Sequence, residues 1–155
     1  MPKELFSLGE LYPSDFLKDG EEPRSPKVEL KLVMDDNGLV HLEKMADSSL
    51  LWGKYWYRSS VTQTMRDELS DIVRSINKVV RIGPYANPIW LDIACNDGTL
   101  LKNVKPYMSE DGGKDGYFRV GIDPAHNEIT KHARANSELF INDYFSAEAY
   151  HGAMD

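Results

Sequence analysis

The chain has 155 residues, 41% hydrophobic and 28% charged, a globular composition that argues against disorder and fits one domain or a small domain with part of another. Its formal charge of −7 repels phosphate backbones, so no nucleic-acid partner is expected. A single cysteine, Cys95, excludes an internal disulfide and a cysteine-only zinc site; no apolar run approaches the roughly 18–20 residues that span a bilayer, and the N-terminus has no apolar signal core behind a basic head, so the expectation is a cytoplasmic protein with no membrane partner.

In chain order three zones follow, at 1–53, 54–84 and 85–155. The first is punctuated by Pro13, Pro23 and Pro26, which leave no room for a long helix. Val28 to Leu32 alternates apolar and charged residues, the period of a half-buried strand. Asp36-Asn37-Gly38 is a hairpin-turn signal, and Leu39 to Leu42 reads as the return strand. A small β-rich module is expected, extended at first and closing in a hairpin.

The second zone opens on Lys54-Tyr55-Trp56-Tyr57-Arg58, dense in aromatics. Ser60 with Gln63 fits a capping box. From Val61 apolar residues recur in steps of three and four, through Met65, Leu69, Ile72, Val73, Ile76 and Val79, which predicts one face of a helix ending at Gly83-Pro84. The charges between them read as its solvated face.

In the third zone the apolar run Pro88 to Ala94 predicts a strand buried on both faces. Asn96-Asp97-Gly98 is the turn, Thr99 to Met108 a predicted helix, and Ser109 to Gly116 a polar loop. Phe118 to Asp123 is a second strand, Ala125 to Ala135 a helix, Glu138 to Ile141 a third strand, and a short helix starts near Ser146. Strand–helix–strand–helix–strand is half of a doubly wound α/β sheet, so the expected fold class is α/β: a partial Rossmann-like sheet of three strands, preceded by the β-rich module and a linking helix.

Two carboxylates carry the chemistry. Asp92 sits in the first of these strands beside the turn, and Asp123 closes the second. Ligands of open α/β sheets bind at the carboxyl ends of the strands. An acid closing the second strand is placed to accept both hydroxyls of a ribose, and a turn of small residues lets backbone approach the ligand. The dinucleotide pattern G-x-G-x-x-G is absent, and Asp97 beside Gly98 would repel a pyrophosphate. An adenosine ligand with a positive group in place of phosphates suits an acidic turn better.

Residues 90–101, Trp-Leu-Asp-Ile-Ala-Cys-Asn-Asp-Gly-Thr-Leu-Leu, resemble the first motif of class I S-adenosylmethionine (SAM)-dependent methyltransferases, and more narrowly the branch of the deoxysugar C-methyltransferases. Gly121-Ile122-Asp123-Pro124 resembles that branch's second motif. Asn142-Asp143-Tyr144-Phe145 resembles the stretch after its third strand, whose acid commonly faces the adenine. Tyr55 to Ser60, followed by Gln63 to Arg66, resembles a segment covering the cofactor. Leu8 to Leu17 and Asn37 to Leu42 resemble its N-terminal zinc module. The resemblance implies S-adenosylmethionine as cofactor, held by Asp92, Ala94, Asn96, Gly98, Asp123, Pro124, Asp143, Tyr144, Tyr57 and Ser59. It implies methyl transfer to a small molecule, such as carbon of a nucleotide-linked sugar.

The departures matter too. The family's module carries two Cys-x-x-Cys pairs; the first has no counterpart before Leu8, and Met34 and Asn37 stand where the second would be. No metal is therefore expected, and the hairpin should be held by packing alone. Ala94 replaces a usual glycine. The family sheet has seven strands in the order 3-2-1-4-5-7-6, and this chain matches the first three, so an incomplete enzyme is expected. Ile89 to Ile93 would then present an open edge to a complementing chain or to a second copy. Catalytic residues stay unassigned, because the family's lie mostly in the later strands.

Plainer roles compete with these. Asp92 also reads as a solvated or capping carboxylate, Asp97 as a helix N-cap, Asp143 as a loop acid and Tyr55-Trp56-Tyr57 as core. Arg58 suits a ligand carboxylate or a surface ion pair. Cys95 has no recognisable His partner and reads as a packed residue; His41, His126, His132 and His151 show no metal spacing. Two further readings compete for the whole: a degenerate methyltransferase-like protein kept as an interaction or regulatory partner, and an NAD-type domain, against which the missing glycine pattern counts.

Overall fold

The structure, a computed structural model, describes residues 2–13, 17–23, 25–52, 56–80, 88–107 and 116–155. It is mixed α/β, with a small antiparallel sheet and a separate parallel sheet of three strands. Two units divide the chain, Met1–Tyr55 and Trp56–Asp155.

The first unit contains β1 (Lys3–Leu11), β2 (Val28–Met34), β3 (Val40–Leu42) and the short helix α1 (Ser48–Trp52), its sheet ordered β1-β2-β3 with antiparallel pairing throughout. The expected hairpin is present. Gly38 turns it at φ +84°, the left-handed region that glycine enters without steric cost. The Asp35 N–H donates to Leu39 O at 2.9 Å and the Leu39 N–H to Asn37 Oδ1 at 3.0 Å. Beside the turn and the ladder, Lys31 meets Glu29, Glu43 and Glu4 in a cluster of ion pairs. Lys31 and Glu29 are half-buried and Glu4 and Glu43 exposed, all within reach of water, so each pair contributes little. The extended N-terminal stretch proves to be a full strand, β1. Asp47, whose Oδ1 accepts the Ser49 N–H at 2.8 Å, starts α1, which the sequence reading missed. Ser14, Asp15 and Phe16 of the zinc-module resemblance lie outside the described residues.

In the second unit α2 (Gln63–Val79) is the amphipathic helix expected from its periodicity. Its cap is Thr62 rather than Ser60: Thr62 Oγ1 accepts the Met65 N–H at 3.3 Å, whereas the Ser60 N–H is committed to Asp97. Gln63, the first helical residue, bonds forward to Asp67 and accepts from Arg66. The helix closes at Val79; the expected stop at Gly83-Pro84 lies outside the described residues.

The parallel sheet holds β4 (Ile89–Ile93), β5 (Phe118–Ile122) and β6 (Leu139–Ile141) in the order β4-β5-β6, with α3 (Asn127–Ala135) between β5 and β6 and α4 (Ala147–Met154) last. Leu91 pairs with Val120, and Val120 with Leu139, so three apolar strands lie in register across the centre. Val120, Ile122 and Ile141 form one core cluster, with Tyr150 of α4 packed on it; Leu101, Cys95 and Ala133 form another. The predicted helix over Thr99–Met108 is not there. Only a 3-10 turn, Leu101–Asn103, forms, and Val104 is already extended. Pro106 is the physical reason: it has no N–H for a helical bond and disfavours helical backbone at the residue before it. The freed backbone pairs elsewhere, the Tyr107 N–H with Tyr117 O and the Tyr117 N–H with Lys105 O. Met108 and most of the polar loop expected after it lie outside the described residues.

Candidate functional site

The carboxyl ends of β4, β5 and β6 sit side by side, and each carries residues singled out from the sequence. After β4 comes the turn 94–98, which alternates into left-handed backbone three times: Ala94 at φ +61°, Asn96 at +52° and Gly98 at +71°. The Ala94 and Cys95 N–H groups both donate to Ile122 O, tying the turn to the tip of β5. Gly98 is required on two counts. Beyond its positive φ, a Cβ there would meet the Ala133 Cα at 2.8 Å. Gly98→Ala is expected to cost about 2–4 kcal/mol, from left-handed strain and a backbone clash with α3, measurable by urea unfolding. Ala94 carries the strain without the clash. Ala94→Gly is expected to stabilise by about 0.5–1 kcal/mol, the strain relieved less the added unfolded-state entropy.

Asp123 follows β5 and is 7% exposed. Its Oδ2 accepts the Asn96 N–H at 2.7 Å, and its Oδ1 accepts the Ala125 N–H at 2.8 Å. The carboxylate thus fixes both the β4 turn and the start of its own loop, while each oxygen keeps a second lone pair. Pro124 beside it is partly buried. Asp92, in β4, is partly buried, and burial together with the charge of Asp123 pushes its carboxyl up to about 6. A cation placed beside Asp92 would favour its charged form.

Asp97 has a different duty from the one expected of an acidic turn. It is 1% exposed; Oδ2 accepts the Ser60 N–H at 3.0 Å, and Oδ1 accepts the Thr99 N–H at 3.2 Å and the Thr99 hydroxyl at 2.5 Å. Burial alone would raise this carboxyl, but the bonds from Ser60 and Thr99 outweigh it and hold it below the ordinary range. Asp97 is an anchor between the turn and the segment before α2.

The anchor holds the segment before α2. Asn96 clasps it at two points, Oδ1 accepting the Ser59 N–H at 2.9 Å and Nδ2 donating to Tyr57 O at 3.0 Å. Arg58 Nη1 lies 3.0 Å from His132 Nε2 on α3. A guanidinium only donates, so Arg58 is the donor of this contact. Tyr57 therefore stands beside the turn through its backbone carbonyl, and Ser59 through its N–H and its hydroxyl, which donates to Asn96 Oδ1 at 3.4 Å. The edge of Tyr57 packs against Trp56, which is 56% exposed, at 6.3 Å between centroids. Lys54 and Tyr55 lie outside the described residues.

After β6, Asn142 Nδ2 donates to Asp123 O at 2.9 Å and to Ala125 O at 3.2 Å, binding the third strand tip to the second. Asp143 and Tyr144 are exposed, and Asp143 Oδ1 accepts the Tyr144 N–H at 2.7 Å. Cys95 is buried, and burial followed by the charges of Asp92 and Asp123 pushes its thiol far up, which suits a packed residue and not a nucleophile. The side-chain clasp of Asn96 and the strand-tip bond of Asn142 went unread in the sequence; the left-handed Asn before Asp-Gly was the one local signal for the first.

Among the described residues no group of three His, Cys, Asp or Glu side chains is arranged to hold a metal ion, and no helix is long and apolar enough to cross a membrane. No protein-family profile matches the chain, and no curated protein matches it significantly.

Proposed function

We propose that the second unit binds S-adenosylmethionine and serves as the donor site of a methyltransferase of the class I, Rossmann-like type. The observation that carries this reading is the acidic pair Asp92 and Asp123 on neighbouring strands, beside a turn with left-handed backbone at 94, 96 and 98. A sulfonium and an α-amino group are cations that an acidic, partly buried site favours. In this reading the spare lone pairs of Asp123 take the ribose hydroxyls, with Pro124 shaping the wall beside it. Asp92 stands near the methionine end, Asp143 and Tyr144 flank the adenine, and Ala94, Asn96 and Gly98 let backbone come close. The clasped segment with Tyr57 and Ser59 covers the ligand. Positioning the sulfonium in line with a nucleophilic carbon would supply much of the rate. The acceptor is a small molecule of the nucleotide-linked sugar type. Among the described residues β4 is paired on one side only, and a complementing chain along it would cover Ile89 and Ile93, which are 43% and 49% exposed.

A second reading is favoured by one feature. Asp97 is fully committed to protein N–H and hydroxyl groups, and Asp123 has one protein partner on each oxygen. A scaffold that keeps its turn for structure alone would look the same, as in a methyltransferase-like interaction or regulatory partner. Calorimetric titration of the folded chain with S-adenosylmethionine, its demethylated product and NADH separates the readings. Binding of the first two and not of NADH is the expected result; no binding of either by folded protein would leave the interaction partner.

A further inference from the structure

Arg58, Arg66 and Arg119 of the second unit are all half-buried, and the last two are spent on the protein. Arg66 donates to Ser60 O, Val61 O and Gln63 Oε1. Arg119 donates to both carboxylate oxygens of Glu138 and to Leu101 O. Arg58 is different. Among the described residues its guanidinium meets His132 Nε2 alone, 3.0 Å from Nη1. A guanidinium presents a planar fork of N–H donors, so most of this fork has no protein acceptor. An imidazole brings no negative charge, so the cation has no counter-ion there either, in a chain whose formal charge is −7. Half-burial removes part of the water that would otherwise solvate it.

The fork rests on a fixed base. On either side of Arg58, Tyr57 O and the Ser59 N–H are bonded to Asn96 of the turn, and the Arg58 carbonyl accepts the Val61 N–H at 3.2 Å. His132 stands on α3 next to Ala133, the residue that a side chain at Gly98 would strike. Arg58 thus reaches from the segment before α2 to α3, alongside the turn 94–98. The buried carboxylate of that turn, Asp97, is taken by Ser60 and Thr99 and leaves Arg58 without an acid. An ion pair within the protein was one role open to Arg58, and among the described residues it is not formed. The other role is an anion that arrives with a ligand. A guanidinium suits a carboxylate or a phosphate because its parallel N–H groups match the spacing of their oxygens.

We propose that Arg58 anchors an oxyanion site beside the turn, taking a carboxylate or phosphate of a ligand, with His132 positioning the guanidinium. The site stands on Arg58 and His132; which ligand brings the anion rests on the methyl-donor reading. There the α-carboxylate of S-adenosylmethionine and the diphosphate of a nucleotide-linked acceptor offer the same chemistry. The test is calorimetry of the full chain and of Arg58→Gln, in low-salt buffer free of phosphate. The probes are S-adenosylmethionine, its decarboxylated form, uridine diphosphate and uridine. Inorganic phosphate is titrated separately and followed by the Arg58 Nε–H and His132 ring signals in NMR spectra. An anionic probe is expected to bind the parent at least about tenfold more tightly than it binds Arg58→Gln, with a margin that shrinks in salt. If S-adenosylmethionine shows the margin and its decarboxylated form does not, the anion is the donor's carboxylate. If uridine diphosphate shows it and uridine does not, the anion is the acceptor's phosphate. Phosphate that shifts both NMR signals, in a chain that binds neither form of S-adenosylmethionine, would keep the oxyanion site and remove the methyl-donor reading. The Arg58 side chain takes no part in the Asn96 clasp, so the substitution spares the fold, which circular dichroism checks. A folded Arg58→Gln that binds every anionic probe as the parent does would overturn the proposal. So would a parent that responds to none of the probes and not to phosphate.

Discussion

Asp123→Ala is expected to lower stability by about 2–4 kcal/mol and to weaken S-adenosylmethionine binding at least about a hundredfold. The stability loss follows from the two N–H groups that the carboxylate accepts. Asn96 N–H, at 2.7 Å, and Ala125 N–H, at 2.8 Å, would both lose a charged acceptor in a region where Ala125 is buried and Asn96 partly so. An unpaired buried donor costs about 1–3 kcal/mol, and relief of the buried charge offsets part of the sum. Because Asn96 also holds Tyr57 and Ser59, the loss should spread to the segment before α2, and hydrogen exchange at Ser59 should quicken with it. Asp123→Asn separates fold from site. Its amide oxygen can still accept one of the two N–H groups, so it should keep more stability than the alanine variant while losing the charge that the ribose and the cation need. Urea unfolding and calorimetry on both variants read the two quantities apart. If Asp123→Asn, folded, bound S-adenosylmethionine as the parent does, the carboxylate would be structural alone.

The sequence made some of this legible and hid the rest for identifiable reasons. The steps of three and four from Met65 to Val79 mark one face of a helix, and α2 is there, although Val61 lies before its cap and Ile72 and Val79 are exposed. The run Ile89 to Ile93 is a strand of a parallel sheet, but it is not buried on both faces as expected: none of its residues is buried, and Ile89 and Ile93 are exposed, because among the described residues β4 is an edge strand; Asn37-Gly38 turns the hairpin as its backbone needs require. The region Thr99 to Met108 misleads because Leu100, Leu101 and Val104 sit at helical spacing. What decides against a helix is Pro106 and the pairing of Lys105 and Tyr107 with Tyr117, a contact ten or more residues away that local pattern cannot contain. β1 was hard to see as a ladder because Gly9 and the two register shifts break its alternation. The candidate residues Asp92, Asp123, Asp143 and Tyr144 could be placed at strand ends by counting. The anchor duty of Asp97 and the clasp of Asn96 could not, since their partners at Tyr57, Ser59 and Ser60 are 37 to 39 residues earlier in the chain.

Asp92→Asn is expected to act in opposite directions on stability and on binding. The Asp92 carboxyl titrates at about 6 in the folded chain, raised by burial and by Asp123, against about 3.9 for an unperturbed aspartate. The folded state therefore holds this proton more tightly than the unfolded state. Stability on this account is greatest below pH 4, falls as pH rises through 6 and is flat above it, a loss of about 2–3 kcal/mol. Asparagine is neutral throughout. The variant should match the parent near pH 4 and exceed it by about 2 kcal/mol at pH 7.5, read as urea midpoints at the two pH values. Binding runs the other way. A sulfonium and an ammonium favour the ionised Asp92, so the parent should bind S-adenosylmethionine more tightly as pH rises through 6 and release a proton when it binds near pH 5.5. Calorimetry in two buffers of different ionisation enthalpy counts that proton. In Asp92→Asn the proton release and the pH dependence should both disappear, and affinity should drop about tenfold at pH 7.5. A stabilised variant with unchanged affinity would place the cation away from Asp92. A variant no more stable than the parent at pH 7.5 would mean that the carboxyl is better solvated than its position in β4 implies. The expected combination, higher stability with weaker binding, is what a buried acid retained for its charge should give.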